Sequence, residues 1–250
     1  MRPPLNTSIV RSRQSTVFVA AILLLCATVV SAGSLDTAPK TRNSVYMDYS
    51  TEDVRALSPN SRLEVTVTGE KKSLRAWVTV KQFAGGWSIR VWPIERNVGV
   101  LWKPNSSAFA LTDNRYANRS YVIIIGARFH MAGRDLGVHR VDVTPLVRRA
   151  LMERVQRYYR GHFGISKVGG PYSLYVKALR WLGNDRLLIG VFAVTSLPMP
   201  SHKLGVARGV KGWKLGYLVN VLRMKIIRPV STKMMQMEYG INFSQIMKEP

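Results

Sequence analysis

Between Leu63 and Ile125 apolar residues return at every second position in short runs, and turn-forming residues break those runs; such a pattern commits the segment to a meander of short strands. Leu63, Val65 and Val67 alternate with polar neighbours, then Leu74, Ala76, Val78 and Val80, then Trp87, Ile89 and Val91. Gly69 with Glu70 and the pair Gly85-Gly86 supply the turns. Val98 to Trp102, Ala108 to Thr112 and Tyr121 to Ile125 follow, the last continuously apolar and so expected to be a central strand buried on both faces.

The period changes at Asp142-Val143-Thr144-Pro145. Asp142 or Thr144 suits the capping of orphan N–H groups, and Pro145 fits a first helical turn because its missing donor costs nothing there. Val147, Leu151, Val155 and Tyr158 then form one apolar stripe, which predicts an amphipathic helix from about 145 to 160 ended before Gly161 and Gly164. Strand patterns return at Ser173 to Trp181, Arg186 to Thr195 and Tyr217 to Ile227. A methionine-rich segment from about Thr232 to Met247 reads as a short C-terminal helix weakened at Gly240. The expected fold is mainly β with one inserted helix.

Ahead of this domain Arg2, Arg11 and Arg13 precede an apolar run of 14 residues, Val17 to Val30. That run is short for a membrane span, and Val30 and Ala32 stand at the small-residue positions before Gly33 that a signal peptidase reads. The expectation is a signal peptide over 1–32, a polar leader over 33–60, a single β-rich domain over 61–250 without a transmembrane span, and a periplasmic or extracellular address. Cys26, the only cysteine, lies in the run to be removed. The mature chain is then cysteine-free, with no disulfide, thiol nucleophile or thiolate ligand.

Pro59-Asn60-Ser61 recurs as Pro104-Asn105-Ser106, 45 residues on, each time at a turn before an alternating strand. A weaker third copy runs from Trp181 to Ile189, with Gly-Asn-Asp as its turn. The apolar phase of the first copy is one residue out of step with the second, which turns its side chains to the opposite face. Trp102-Lys103-Pro104-Asn105-Ser106, followed by Ala108 to Asp113, resembles the Trp-Ser-Pro-Asp-Gly signature of bacterial WD-like propeller repeats, as in the Tol translocation propeller. The order of features also resembles a group of short exported bacterial proteins carrying one or two such repeats. Lys103, Asn105 and Ser106 depart from the usual Ser, Asp and Gly. The resemblance implies an open or partial propeller-like array marked by Trp102, Pro104, Asn105, Asp113 and Trp181, because a closed ring needs more chain than this.

Little in the sequence points to catalysis. His130, His139, His162 and His202 lack metal-ligand spacing, and no G-x-S-x-G elbow appears. Ser173 after Gly169-Gly170-Pro171 is the nearest serine candidate, while Asp113 and Asp185 read as braces for turns. No cofactor is expected, and Gly205 to Lys214 lacks the ending of a phosphate-binding P-loop and reads as a solvated connection.

Charge is the feature above background. The chain carries 37 Lys plus Arg against 14 Asp plus Glu, a net charge of +23, yet at 46% hydrophobic it is no disordered basic tail. From Arg186 to Met237 there is no acid and there are nine bases. Lys203, Arg208, Lys211, Lys214, Arg223, Lys225 and Arg228 are the candidate contact residues, supported by Arg148, Arg149, Arg154, Arg157 and Arg160 on the helix. Such a field attracts anionic surfaces in a salt-sensitive way. The expected function is a non-catalytic envelope or interaction module for an anionic surface or acidic envelope component. The alternatives are an exported nucleic-acid binder, with Trp213 and Tyr217 among the bases for stacking, and a hydrolase with a loop-borne site.

Overall fold

Strands that follow one another closely in the chain satisfy their backbone donors and acceptors on each other, as short turns allow. The computed structural model describes residues 44–47, 55–70, 75–82, 86–128, 137–196 and 210–243, all within the unit Arg42–Pro250. In chain order the elements are β1 (Ser44–Met47), β2 (Arg55–Leu57), β3 (Leu63–Glu70), β4 (Arg75–Gln82), β5 (Ser88–Ile94), β6 (Val98–Trp102), β7 (Ala108–Tyr116), β8 (Arg119–Arg128), β9 (Gly137–Asp142), α1 (Thr144–Phe163), β10 (Ser173–Leu182), β11 (Arg186–Ser196), β12 (Val210–Asn220), β13 (Lys225–Val230) and α2 (Thr232–Tyr239).

Antiparallel pairing groups twelve of these strands in fours: β2 to β5, β6 to β9 and β10 to β13. The first four are a sheet of their own. The other eight join β1, which pairs with β6, in a nine-stranded sheet linked through one short parallel contact of Arg119 in β8 with Leu174 in β10. The chain is mainly β, with two sheets, no closed barrel among the described residues, an inserted helix and a short C-terminal helix. Pairing alone does not make these strands the blades of a propeller.

Three cores hold the strands. Leu63, Val65, Val78 and Val80 of the first group meet Phe109, Leu111, Ile123 and Ile125 of the second. On the other side of β7 and β8, Ala110, Val122 and Ile124 pack with α1 and with Val176, Leu187, Ile189, Leu215 and Val219 of the third. Leu188, Leu218 and Val230 are closed over by Met235 of α2 and by Phe243. β7 and β8 thus bury both faces, which is why β8 carries an unbroken apolar run. Each buried Leu, Ile, Val or Phe contributes about 1.5–3 kcal/mol. Gly216 lets α2 approach β12, since a Cβ there would lie 3.1 Å from Met235 Sδ and 3.2 Å from the Ile189 carbonyl oxygen.

Helix α1 begins where Asp142 Oδ1 accepts the Thr144 N–H at 2.8 Å and Pro145 occupies the first turn. Thr144 Oγ1 instead accepts the Val122 N–H at 2.9 Å, fastening the helix start to β8. Gly164, at φ +66°, closes the other end, its N–H on the Arg160 carbonyl at 3.1 Å. The buried stripe is Val147, Leu151, Val155 and Tyr159; the expected Tyr158 is only half-buried and stacks on His162 with ring centres 4.2 Å apart. Position 159 continues the spacing-four stripe of 147, 151 and 155, and the Tyr159 hydroxyl lies 3.3 Å from Thr195 Oγ1.

Other element boundaries differ from the sequence expectation for local reasons. The expected single strand Tyr217 to Ile227 is a hairpin between β12 and β13, turned by Asn220 Oδ1 accepting the Arg223 N–H at 2.9 Å and by Met224 at φ +47°. Lys211 and Lys214, expected in a solvated connection, lie on β12. β9 was hidden by its polar residues. The leader contributes β1 and β2, whose Met47 and Ala56 enter a core. The expected segment boundary at Gly33 and the start of the leader lie outside the described residues.

Candidate functional site

The two Pro-Asn-Ser turns make the same hydrogen bonds. Ser58 N–H reaches the Leu63 carbonyl and Ser61 N–H the Ser58 carbonyl, both at 2.8 Å; Lys103 N–H reaches Ala108 and Ser106 N–H reaches Lys103, both at 2.9 Å. Asn60 Oδ1 accepts the Arg62 N–H at 3.1 Å and Asn105 Oδ1 the Ser107 N–H at 3.2 Å, so each side chain braces its own turn. Ser61 and Ser106 both take left-handed conformations, φ +55° and +60°. Pro104 is exposed at the tip.

The tryptophans tie the groups together. Trp102 Nε1 donates to the Ala56 carbonyl at 2.9 Å, and Trp181 Nε1 donates to the Leu101 carbonyl at 3.1 Å. Ala56 and Leu101 each stand two residues before their turn's first donor, so both indoles reach the same place in the preceding hairpin. The turns also meet: Asn60 N–H donates to Ser106 Oγ at 3.1 Å. Burial lowers the pKa of Lys103, and the Asp185 carboxylate of the third turn opposes that shift. The phase difference between the first two copies has a direct meaning, because Leu63 and Val65 face the second group while Phe109 and Leu111 face back toward the first.

Asp113 does not brace a turn. It lies fully buried on β7, accepts Trp92 Nε1–H at 2.8 Å and stands 3.4 Å from Arg115 Nη2. Burial pushes its carboxyl pKa up, against the Trp92 bond and the Arg115 charge. Asp185 does sit at its turn, where Asn220 Nδ2 donates to it at 3.1 Å.

The candidate contact bases that are described have different surroundings. Lys203 and Arg208 lie outside the described residues, as do His130 and His202, and of Lys211 only the strand position is described. Lys214 is exposed over the Phe192 ring, its Nζ 5.9 Å from the centroid. Arg223 is exposed in the β12–β13 turn. Arg228 is engaged within the fold, donating to Glu238 and, at 2.9 Å, to Tyr239 Oη, which fastens β13 to α2.

Lys225 lines a cavity. This cavity, about 330 Å³, lies between α1 and the β12–β13 hairpin and sits at the small end of ligand pockets. Arg149, Arg154 and Arg157 line it from the helix, Lys225 and Tyr217 from the hairpin, and Glu153 is its single acid. Residues 149 and 157 are two turns apart, about 12 Å along the axis. Arg157 Nε donates to the Glu153 backbone carbonyl at 3.4 Å, and among the described residues no carboxylate pairs with Arg149, Arg154, Arg157 or Lys225. Tyr217 is 3% exposed, and among the described residues its hydroxyl has no hydrogen-bond partner. Burial pushes its pKa up to about 12, Arg154 and Arg157 acting against that rise, so the hydroxyl keeps its proton and remains a donor near neutral pH.

Sequence reasoning centred the contact on the acid-free stretch and gave the helix arginines a supporting part, whereas this site is built from a helix face and a hairpin about 70 residues away. The signal within reach was the helix side opposite the apolar stripe, where Arg149, Glu153 and Arg157 recur at spacing four. Trp213 and Tyr217, named as stacking aromatics for the nucleic-acid alternative, are both buried, and the sequence did not mark the Tyr217 hydroxyl. Among the described residues no three His, Cys, Asp or Glu side chains gather as a metal site requires, and no helix is long and apolar enough to cross a membrane. Ser173 is buried at the start of β10. No family model, curated protein or solved structure matches this chain.

Proposed function

We propose that the chain is an exported, non-catalytic module that docks on an anionic envelope component through the groove between α1 and the β12–β13 hairpin. One observation carries the reading: Arg149, Arg154, Arg157 and Lys225 converge on one cavity with a single acid beside them. Four cations held together repel one another, and an anionic ligand is what relieves that repulsion. Arginine suits the task because its planar fork pairs with carboxylate or phosphate oxygens. The export part of the proposal rests on residues 1–32, and an intact mass starting at Gly33, within two residues, is its check. We also propose that the shared turn bonds and the two indole contacts mark repeats of the WD-like kind.

The groove is tested with vesicles containing acidic lipid, titrated across a salt series. Each engaged base contributes about 1 kcal/mol near such a surface. Reversing Arg154 and Arg157 to Glu removes two attractions and adds two repulsions, a loss of about 4 kcal/mol, or about a thousandfold at low salt. Lys214→Glu, away from the groove, is expected to lose far less. A double variant that binds as the wild type does, or wild-type binding indifferent to salt, overturns the proposal.

A further inference from the structure

We infer that the groove is a pocket for a phosphomonoester, with the Tyr217 hydroxyl donating to one phosphate oxygen while guanidinium groups of α1 hold the others. This rests on the groove being the anionic contact and goes further by naming the chemistry inside it.

A buried O–H with no acceptor leaves a desolvation cost unrecovered, so such groups call for an explanation. The Tyr217 hydroxyl is that group; the Tyr217 side chain lines a cavity whose other polar walls are almost all cationic, and binding requires a shift of the ring that brings the covered hydroxyl to that cavity. An acceptor entering the cavity is thus expected to be an anion.

Shape selects among anions. The donors stand on two walls, Arg149, Arg154 and Arg157 on the helix and Tyr217 with Lys225 on the hairpin. A carboxylate has two oxygens in one plane, whereas a phosphomonoester turns three terminal oxygens outward and serves both walls together. Its second negative charge also offsets more of the local cation excess. The remaining lining, including Leu146, Ile226 and Pro229, is apolar and suits a small organic body behind the phosphate. At about 330 Å³ the cavity admits a headgroup or a phosphorylated polyol, not a folded partner.

The same chemistry arises from a soluble phosphorylated polyol and from a lipid headgroup, and the test separates them. Full-length protein is titrated with glycerol 3-phosphate, with phosphatidylcholine vesicles containing phosphatidic acid, and with the same vesicles containing phosphatidylglycerol, a diester. Saturable binding of glycerol 3-phosphate identifies the soluble source, and binding confined to phosphatidic acid vesicles identifies the lipid. In either case Tyr217→Phe is expected to weaken the phosphomonoester about tenfold or more while leaving low-salt attraction to phosphatidylglycerol vesicles intact. Loss of that general attraction on Arg154→Glu with Arg157→Glu reports on the groove itself, so the two ideas fail separately. Unliganded Tyr217→Phe is expected to melt no lower than wild type, because it deletes an unpartnered group and keeps the ring. Equal phosphomonoester affinity in Tyr217→Phe and wild type, or no preference of wild type for phosphatidic acid over phosphatidylglycerol together with no binding of glycerol 3-phosphate, overturns the inference.

Discussion

Asp113 shows how a single residue departs from its sequence reading. Aspartate beside a strand end suggests a turn brace, yet this carboxyl is fully buried between Trp92 and Arg115. Burial is the largest influence on it and raises its folded pKa above the unfolded value. Between those two values the folded chain holds a proton that the unfolded chain has released, so stability falls as pH rises through that window and levels off above it. Asp113→Asn keeps an acceptor for Trp92 and removes the titration. Denaturant unfolding at a series of pH values from about 3.5 upward is expected to show the fall in wild type and not in Asp113→Asn; the same slope in both contradicts this account. Leu111 behaves as its alternation foretold and is completely buried. Leu111→Ala is expected to cost about 2–5 kcal/mol in the same assay, and a negligible cost would contradict the placement of β7 between two cores.

Among the elements, those with long, regular apolar periods were legible. The strands around Leu63, Val78, Leu111 and Ile189 follow from period two, and α1 follows from its stripe together with Asp142 and Pro145. β1 and β2, with four and three residues, are too short for a period to register, and β9 presents exposed His139 and Arg140. The hairpin between β12 and β13 lacks Gly and Pro at its turn, which relies instead on Asn220 and a left-handed Met224. The contacts between hairpins were legible only as a repeated tripeptide, because which carbonyl an indole meets depends on how the groups stack. Trp102→Phe tests that contact: losing the bond to the Ala56 carbonyl is expected to cost about 1–3 kcal/mol by denaturant unfolding, before any loss of ring volume. An unchanged midpoint would show that the indole bond does not hold the two hairpins together. Ser106→Gly relieves a left-handed serine but deletes the acceptor of the Asn60 N–H; a net change near zero is expected by denaturant unfolding, since roughly 1 kcal/mol gained offsets one lost bond, and a large loss would contradict this.

For the whole molecule, the sequence announced a cationic protein without saying where the charge converges. Linear counting favoured the acid-free stretch from Arg186 to Met237, but the fold assigns Arg228 to α2, turns Lys214 over Phe192 and leaves Lys225 to meet three helix arginines. Only packing α1 against β12 and β13 brings those residues together, and that packing follows from the core residues Val147, Leu151 and Val219, not from the charges. The location of contact, more than the net charge, therefore decides what this protein binds. Amide hydrogen exchange of full-length protein, with and without vesicles containing phosphatidic acid, reads that location directly. New protection is expected to concentrate in 146–157 of α1 and 217–229 of the hairpin. Protection confined to the first four-stranded sheet, or spread evenly over the exposed lysines and arginines, would contradict it.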